Sequence, residues 1–459
     1  MSNQEELPKT PFGQKHALFI KLSFISAITL ILLIPSAMIK GLITERKQTK
    51  SEAVAEIGEK WGKEQIITGP VLTIPYKDHL VLKNSDTEHV EIIERVKQLH
   101  ILPESLFVNS KIIPQRLHRG IFEVAVYDSQ TTFEGNFANF DPLTLDINPE
   151  NLLLDKAFLS IGVSDMRGIQ KQVQIAWDEK SISFQSGTEI SNRELLGSGI
   201  HAPVVVSMDG NTMNTSKFLL NLELKGSDHV YFTPVGKTTH IQMASSWTSP
   251  SFSGEYLPET EGKIINDDGF KASWNIIDLN RDFPQAWTNQ KQNIKASAFG
   301  VNLFIPADNY QRSERSIKYA ILFIGLTFLV FFFVEIMNKR AVHPLQYILV
   351  GLALCLFYTL LLSISEHSSF NFAYILSAGM TLALVGGYTR AILKNTHFTL
   401  LLSGVLAMLY GFIFVVIQLE DLALLTGSLG LFLILGLVMY FSRKIDWYSL
   451  NEKMVASYS

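Results

Sequence analysis

The chain has 459 residues, a net charge of -4, 18% charged residues and 47% hydrophobic ones. That balance excludes a general nucleic-acid binder, which carries a strongly basic face. The charged share lies below the roughly 25% of soluble domains, and the apolar excess gathers in the last third, so the chain divides into a water-exposed part and a membrane part.

Residues 1–17 form a polar leader to the first apolar run, Leu18–Ile39. About 20 apolar residues as helix cross a hydrocarbon core. The only charge in this run is Lys21, at its start, where a long side chain reaches the headgroups. The run exceeds a signal-peptide core, and Ile39-Lys40-Gly41-Leu42 offers no small-x-small cleavage site, so it reads as an uncleaved anchor. Residues 44–65 read as a helical stalk, with Val54, Ile57 and Trp61 at helical spacing and Gly69-Pro70 as the helix breaker. Residues 66–314 follow a period of two. Phe122, Val124 and Val126 alternate with smaller or polar neighbours, as do Val173, Ile175 and Trp177, then Phe218 to Leu224, then Phe299 to Ile305. Turn chemistry separates the runs at Lys225-Gly226-Ser227-Asp228, Val235-Gly236-Lys237 and Asp267-Asp268-Gly269. The expectation is a mainly-β, antiparallel, sandwich-like domain, in one unit or in two halves divided near Gly187–Gly199. The only cysteine, Cys355, lies in a later apolar run. This domain therefore has no disulfide and rests on its own core.

Residues 317–441 contain five more apolar runs, near Tyr319–Met337, Pro344–Ile364, Phe372–Ile392, Phe398–Leu419 and Leu422–Phe441, before a tail of residues 442–459. The expected fold is thus a bundle of six transmembrane helices plus the β domain. Lys339, Arg340, Arg390, Lys394, Arg443 and Lys444 fall on alternate joints, whereas Ser365 to Ser369 and Glu420-Asp421 carry no Lys or Arg. The positive-inside rule then places both termini in the cytoplasm and the β domain outside. Lys40, Arg46, Lys47 and Lys50, with Arg312, Arg315 and Lys318, run against that rule beside the long exposed domain. The span middles carry no ionisable group but do carry small residues four apart. These are Gly351 with Cys355, Ala383 with Gly387, and Ser403, Ala407 and Gly411, a pattern that suits close helix packing.

The usual catalytic motifs are absent: no phosphate loop, no G-x-G-x-x-G, no G-x-S-x-G and no H-E-x-x-H. The eleven histidines are scattered, and no cofactor or metal is expected. Asp146 to Ala157 begins like a calcium loop but lacks its glycine and its final glutamate. Asp165-Met166-Arg167-Gly168 reads as an anion site through Arg167 or as a tight turn with a local ion pair. The aromatic run Trp247 to Pro258, with Phe252 and Tyr256, reads as a partner-binding segment or as rings capping the core. Glu366 and His367 form a polar pair at the mouth of a helical hairpin, where they pair, sense pH or cap it.

Several blocks resemble one family. Ala307 to Leu322, His343 to Leu352, Leu361 to His367, Ile445 to Tyr448, Asp165 to Ile169, Trp247 to Pro258, Leu33-Ile34-Pro35 and Gly69-Pro70 are similar to the CreD family of bacterial inner-membrane, cell-envelope-integrity proteins. The resemblance covers nearly the whole chain. It implies a periplasmic domain, a link to a two-component regulon, and envelope phenotypes such as colicin tolerance and altered β-lactam response. It brings no catalytic residues with it. His343 and Tyr347 then mark a helix start at the membrane interface. The leading expectation is a non-enzymatic envelope protein that senses, scaffolds or binds through its periplasmic domain. Its partners would be the bilayer and other envelope proteins, lipid or glycan. Lipid handling or transport is the alternative. A membrane enzyme is a third, and needs polar groups such as His343 and Glu366 to converge.

Overall fold

The computed structural model describes residues 17–83, 90–288, 292–303, 305, 309–338, 342–419 and 422–443. Residues 1–16 of the expected leader and 444–459 of the expected tail, together with Lys339-Arg340, Glu420-Asp421 and Ala307-Asp308, lie outside these. The chain forms two compact units: residues 50–306, and residues 1–49 with 307–459.

The helical unit begins with α1 (Ala17–Ile31) and α2 (Leu33–Trp61). Pro35 lies in the first turn of α2, where its missing N–H and its ring break the preceding helical ladder. The unit continues with α3 (Asn309–Lys318), α4 (Ala320–Asn338), α5 (Pro344–Ser365), α6 (Phe370–Leu393), α7 (Thr396–Gln418) and α8 (Ala423–Ser442). Five helices among the described residues are long and apolar enough to cross a membrane, the first being Phe19–Trp61 and the others α4 to α7. One small-residue face packs as its spacing suggests. A Cβ on Gly351 would lie 2.1 Å from Leu32 Cδ1, and Cys355 Sγ lies 3.7 Å from Ser36 Oγ. Ala383, Gly387, Ala407 and Gly411, by contrast, are exposed. The inward faces of α6 and α7 are built from Ser377, Thr381, Val385, Leu402 and Leu406 instead.

The β unit contains two large sheets. The nine-stranded sheet runs in the order Pro250–Gly254, Phe299–Leu303, His229–Phe232, Gln65–Lys83, Phe158–Val163, Gly199–Pro203, Gln185–Ser186. Val90–Ile101 joins it along Gln65–Lys83, and Ala286–Thr288 pairs in turn with Val90–Ile101. The eight-stranded sheet runs Ile264–Asn266, Gly269–Ile277, Thr238–Ser245, Ser105–Arg119, Phe122–Phe137, Ser216–Ser227, Gln174–Trp177, Lys180–Ser183. Most pairings are antiparallel, as alternation predicts. Two are parallel: Gln65–Ile67 with Val230–Phe232, and Ser105–Ile112 with Thr238–Ser245. Both sheets take strands from either side of residues 187–199, and one cluster of buried residues runs from Ile67 to Leu303, so a division there does not separate the sheets.

The stalk helix stops earlier than its breaker suggests. Gly62 adopts φ +144°, and a Cβ there would lie 2.7 Å from Lys225 O; only glycine fits such backbone without strain. Gln65 already starts the first strand, and Gly69-Pro70 lies inside that strand, at a register shift between Thr68 and Val71.

Candidate functional site

Three adjoining strands of the eight-stranded sheet set Phe107, His240 and Asn275 in one cross-strand row. Alternation turns this row outward, while Leu106, Val108, Ile241, Trp274 and Ile276 enter the core. Phe107 is 53% exposed, and its ring centroid lies 6.1 Å from that of His240. Gln242 Nε2 stands 3.1 Å from His240 Nε2. With Thr238, the row lines a cavity of about 240 Å³. A second cavity of about 450 Å³ is lined by Glu255, Tyr256, Leu257, Glu259 and Asn280, among others. Asn275 lines both, so the two form one groove. Its wall is fixed by three bonds: Glu259 N–H to Ser273 O at 2.9 Å, Trp274 Nε1–H to Tyr256 O at 3.2 Å, and Tyr256 O–H to Asn280 O at 2.6 Å. Leu257, 73% exposed, is part of the lining, and Leu279, 85% exposed, precedes the lining residue Asn280 in sequence. The groove thus offers apolar contacts around amide, imidazole and carboxylate groups.

The aromatic run contributes to this groove through Glu255, Tyr256 and Leu257, its last ring being the only one of the three named that lines it. Trp247 is buried, with Nε1–H donating to Ser249 O at 3.2 Å and the Arg116 guanidinium 4.8 Å above its ring. Phe252 sits edge-on to Phe270 and Trp274 at 5.6 and 5.7 Å. These two rings close the core. Sequence reasoning missed Phe107. Its signal was Leu106-Phe107-Val108, three consecutive apolar residues in a strand, one of which must face outward.

Arg167 forms a local knot. Its Nε and Nη2 each donate to Asp165 at 2.9 Å, and Nη1 donates to Glu59 O at 2.8 Å. Asp165 also caps the 3-10 turn Met166–Gly168. Burial works against its charge, but the Arg167 bonds and the Lys63 N–H outweigh that and hold the carboxyl below its usual range. Nearby, Glu64, Asp228 and His229 bring ligand-type atoms within 4.8 Å of one another, with both acids exposed. The His229 nitrogens already face Asp228 at 3.2 Å and Glu64 at 3.9 Å.

The helical unit gathers its polar groups at two places. Glu335, 4% exposed, pairs with Lys21. It also accepts from Val342 N–H at 2.7 Å and Tyr347 O–H at 2.9 Å. Lys21 therefore joins α1 to α4 and α5 rather than extending to the headgroups. At the other end of α5, Glu366 accepts from Tyr310 O–H at 3.0 Å and lies 3.7 Å from Arg46 Nε. His367, its neighbour, is exposed. His343 caps the start of α5, accepting from Leu345 N–H at 3.2 Å. The length of α5 separates His343 from Glu366, roughly 33 Å.

The family profile described as "Inner membrane protein CreD" matches residues 17–448. The chain belongs to the CreD family. It is 33% identical to the inner membrane protein CreD of Escherichia coli (strain K12), covering 96% of this chain and 97% of that one. Among solved structures, a putative nutrient binding protein of Legionella pneumophila is similar over 48% of this chain and 82% of its own. Its TM-score is 0.22 and its identity 10%.

Proposed function

We propose that this protein is a non-enzymatic component of the cell envelope, with six spans, both termini in the cytoplasm and the β domain in the periplasm. The groove through Phe107 and Asn275 is where that domain holds a partner from the envelope. One observation carries the reading: a groove lined by a half-exposed phenylalanine and an exposed leucine, with a second exposed leucine next in sequence to the lining residue Asn280, all left open to water. Contiguous exposed apolar surface marks interaction sites on otherwise polar domains. The bundle fits a supporting role, because two of its carboxylates, Glu335 and Glu366, fasten helices to one another through Lys21 and Arg46.

Photoreactive residues placed in intact cells at Phe107, Leu257 and Leu279 test this. Adducts with a discrete protein, lipid or glycan at these positions, and none at the distant exposed Glu179, are the expected result. Absence of adducts at all three groove positions, or the same adducts at Glu179, overturns it. Replacing Asn275 with Trp, which fills the groove from an exposed position, is expected to abolish the adducts at Phe107.

A further inference from the structure

We propose that the end of the helical bundle around the α5–α6 turn carries a cationic collar that binds the phosphate headgroups of anionic phospholipids. This rests on the bilayer contact of the helices, not on which side faces the periplasm. In the sequence, two basic stretches defy the charge rule, and the structure brings them to one place. Asn309 Nδ2 of α3 donates to Ser365 O at 2.6 Å. Tyr310 of α3 and Arg46 of α2 meet on the same Glu366 oxygen. The Arg312 guanidinium lies 5.7 Å from the Phe370 ring at the start of α6. Segments far apart in the chain are thus fastened to the turn where a helical hairpin leaves the membrane.

The cations there concentrate on two segments. Residues 40–49 and 309–318 hold six, Lys40, Arg46, Lys47, Arg312, Arg315 and Lys318, against Glu45 and Glu314, while the carboxylates Glu366, Glu420 and Asp421 belong to the turns between spans and Asp308 directly precedes the second segment. Arg46 is committed to Glu366 and Lys318 to Glu314. Lys40 and Lys47 are exposed, and their seven-residue spacing sets them on one face of α2.

Height decides the ligand. Lys21 marks the opposite end of the bundle, beside Glu335. Lys40 lies roughly 28 Å further along the helix and Lys47 roughly 39 Å. A hydrocarbon core is about 30 Å thick, and 40–45 Å with its headgroups. Lys40 therefore reaches the hydrocarbon edge, and Arg46 and Lys47 traverse the phosphate layer. Guanidinium and ammonium groups fixed at that depth meet lipid phosphate, and each basic group at an anionic surface is worth about fivefold in affinity.

The test is native mass spectrometry of the full chain in mild detergent, titrated with phosphatidylglycerol or with phosphatidylcholine of the same acyl chains. The expected result is a preference for phosphatidylglycerol of about tenfold or more. It should disappear in Lys40→Gln/Lys47→Gln/Arg312→Gln, survive in Lys40→Arg/Lys47→Arg/Arg312→Lys, and weaken with salt in the unaltered chain. Phosphatidylcholine binding should match in all three proteins, which also reports intact folding. No preference in the unaltered chain, or a preference that survives neutralisation, overturns the proposal. So does equal loss of both lipids in both variants.

Discussion

Gly226 shows how a single position can be fixed by a distant side chain. A Cβ there would lie 2.3 Å from the Tyr127 hydroxyl oxygen and 2.4 Å from its ring carbon. Tyr127 is fully buried and donates to His229 O at 2.7 Å. Gly226→Ala is expected to destabilise the β unit by about 2 kcal/mol or more through overpacking. Denaturant unfolding of the full chain, followed by tryptophan fluorescence, measures it, and a change below about 0.5 kcal/mol would sink the account. In the sequence, Gly226 looked like turn chemistry. The strand in fact runs through Ser227, and the left-handed residue is Asp228, with φ 62°. Local composition suggested a turn; the real demand comes from Tyr127, which no local pattern reveals. His100 makes a pH prediction. It is buried, contacts Thr73 Oγ1 at 3.0 Å through Nδ1, and burial lowers its pKa to about 4. The unfolded histidine titrates near 6.5, so the unfolded chain takes the proton first as pH falls. The stability His100 contributes is complete above about 6.5 and is lost as pH falls toward 4, on the order of 3 kcal/mol across the window. Unfolding midpoints between those pH values should fall more steeply for the unaltered chain than for His100→Gln. Equal slopes would refute the assignment.

At the scale of elements, the helices were legible and their contacts were not. Apolar length marked the five helices able to cross a membrane, and four-residue spacing told which small residues share a face. It did not tell which face the bundle covers, and so Gly351 packs against Leu32 while Gly387 and Gly411 have no atom within 4 Å of a built Cβ. The groove was hidden too: the turns at Val235 to Lys237 and Asp267 to Gly269 precede two of its strands, but alternation had named none of the three strands that build it. The ion pair of Lys21 and Glu335 was equally hidden. Both residues lie at ends of apolar runs, where a snorkelling side chain is the simpler expectation. Their pairing sets up a test of what holds α1 to α4. Lys21→Met leaves Glu335 buried with only the Val342 N–H and Tyr347 O–H as donors, and removing one partner of a buried pair costs about 3–5 kcal/mol. The double variant Lys21→Met/Glu335→Gln removes both charges and is expected to recover most of that loss. Thermal unfolding in detergent decides the matter: a double variant no more stable than Lys21→Met would show that the pair is not what fastens the helices.

At the scale of the whole molecule, the division into a helical and a β part followed from hydropathy and alternation alone. The parallel pairings did not, because Gln65–Ile67 finds Val230–Phe232 across most of the domain sequence. Orientation rests on the charge rule. Asn338 Nδ2 donates to Leu393 O at 3.2 Å, so the exits of α4 and α6 share one end of the bundle with Lys21 and Glu335. Arg390 and Lys394 belong to that end. The α5–α6 turn, with Glu366 and Arg46, forms the other. The charge rule is the ground on which we propose that the end with Arg390 and Lys394 faces the cytoplasm. The collar cations lie at the opposite end, next to a long exposed domain, where that rule has least hold. Single cysteines in a Cys355→Ala background read the orientation directly. With the outer membrane opened and the inner one sealed, an impermeant maleimide is expected to label His367→Cys and Leu257→Cys. Thr396→Cys, beside Lys394, should react only after the inner membrane is breached. Labelling of Thr396→Cys in sealed cells, with His367→Cys protected, would invert the topology and move the groove to the cytoplasmic side.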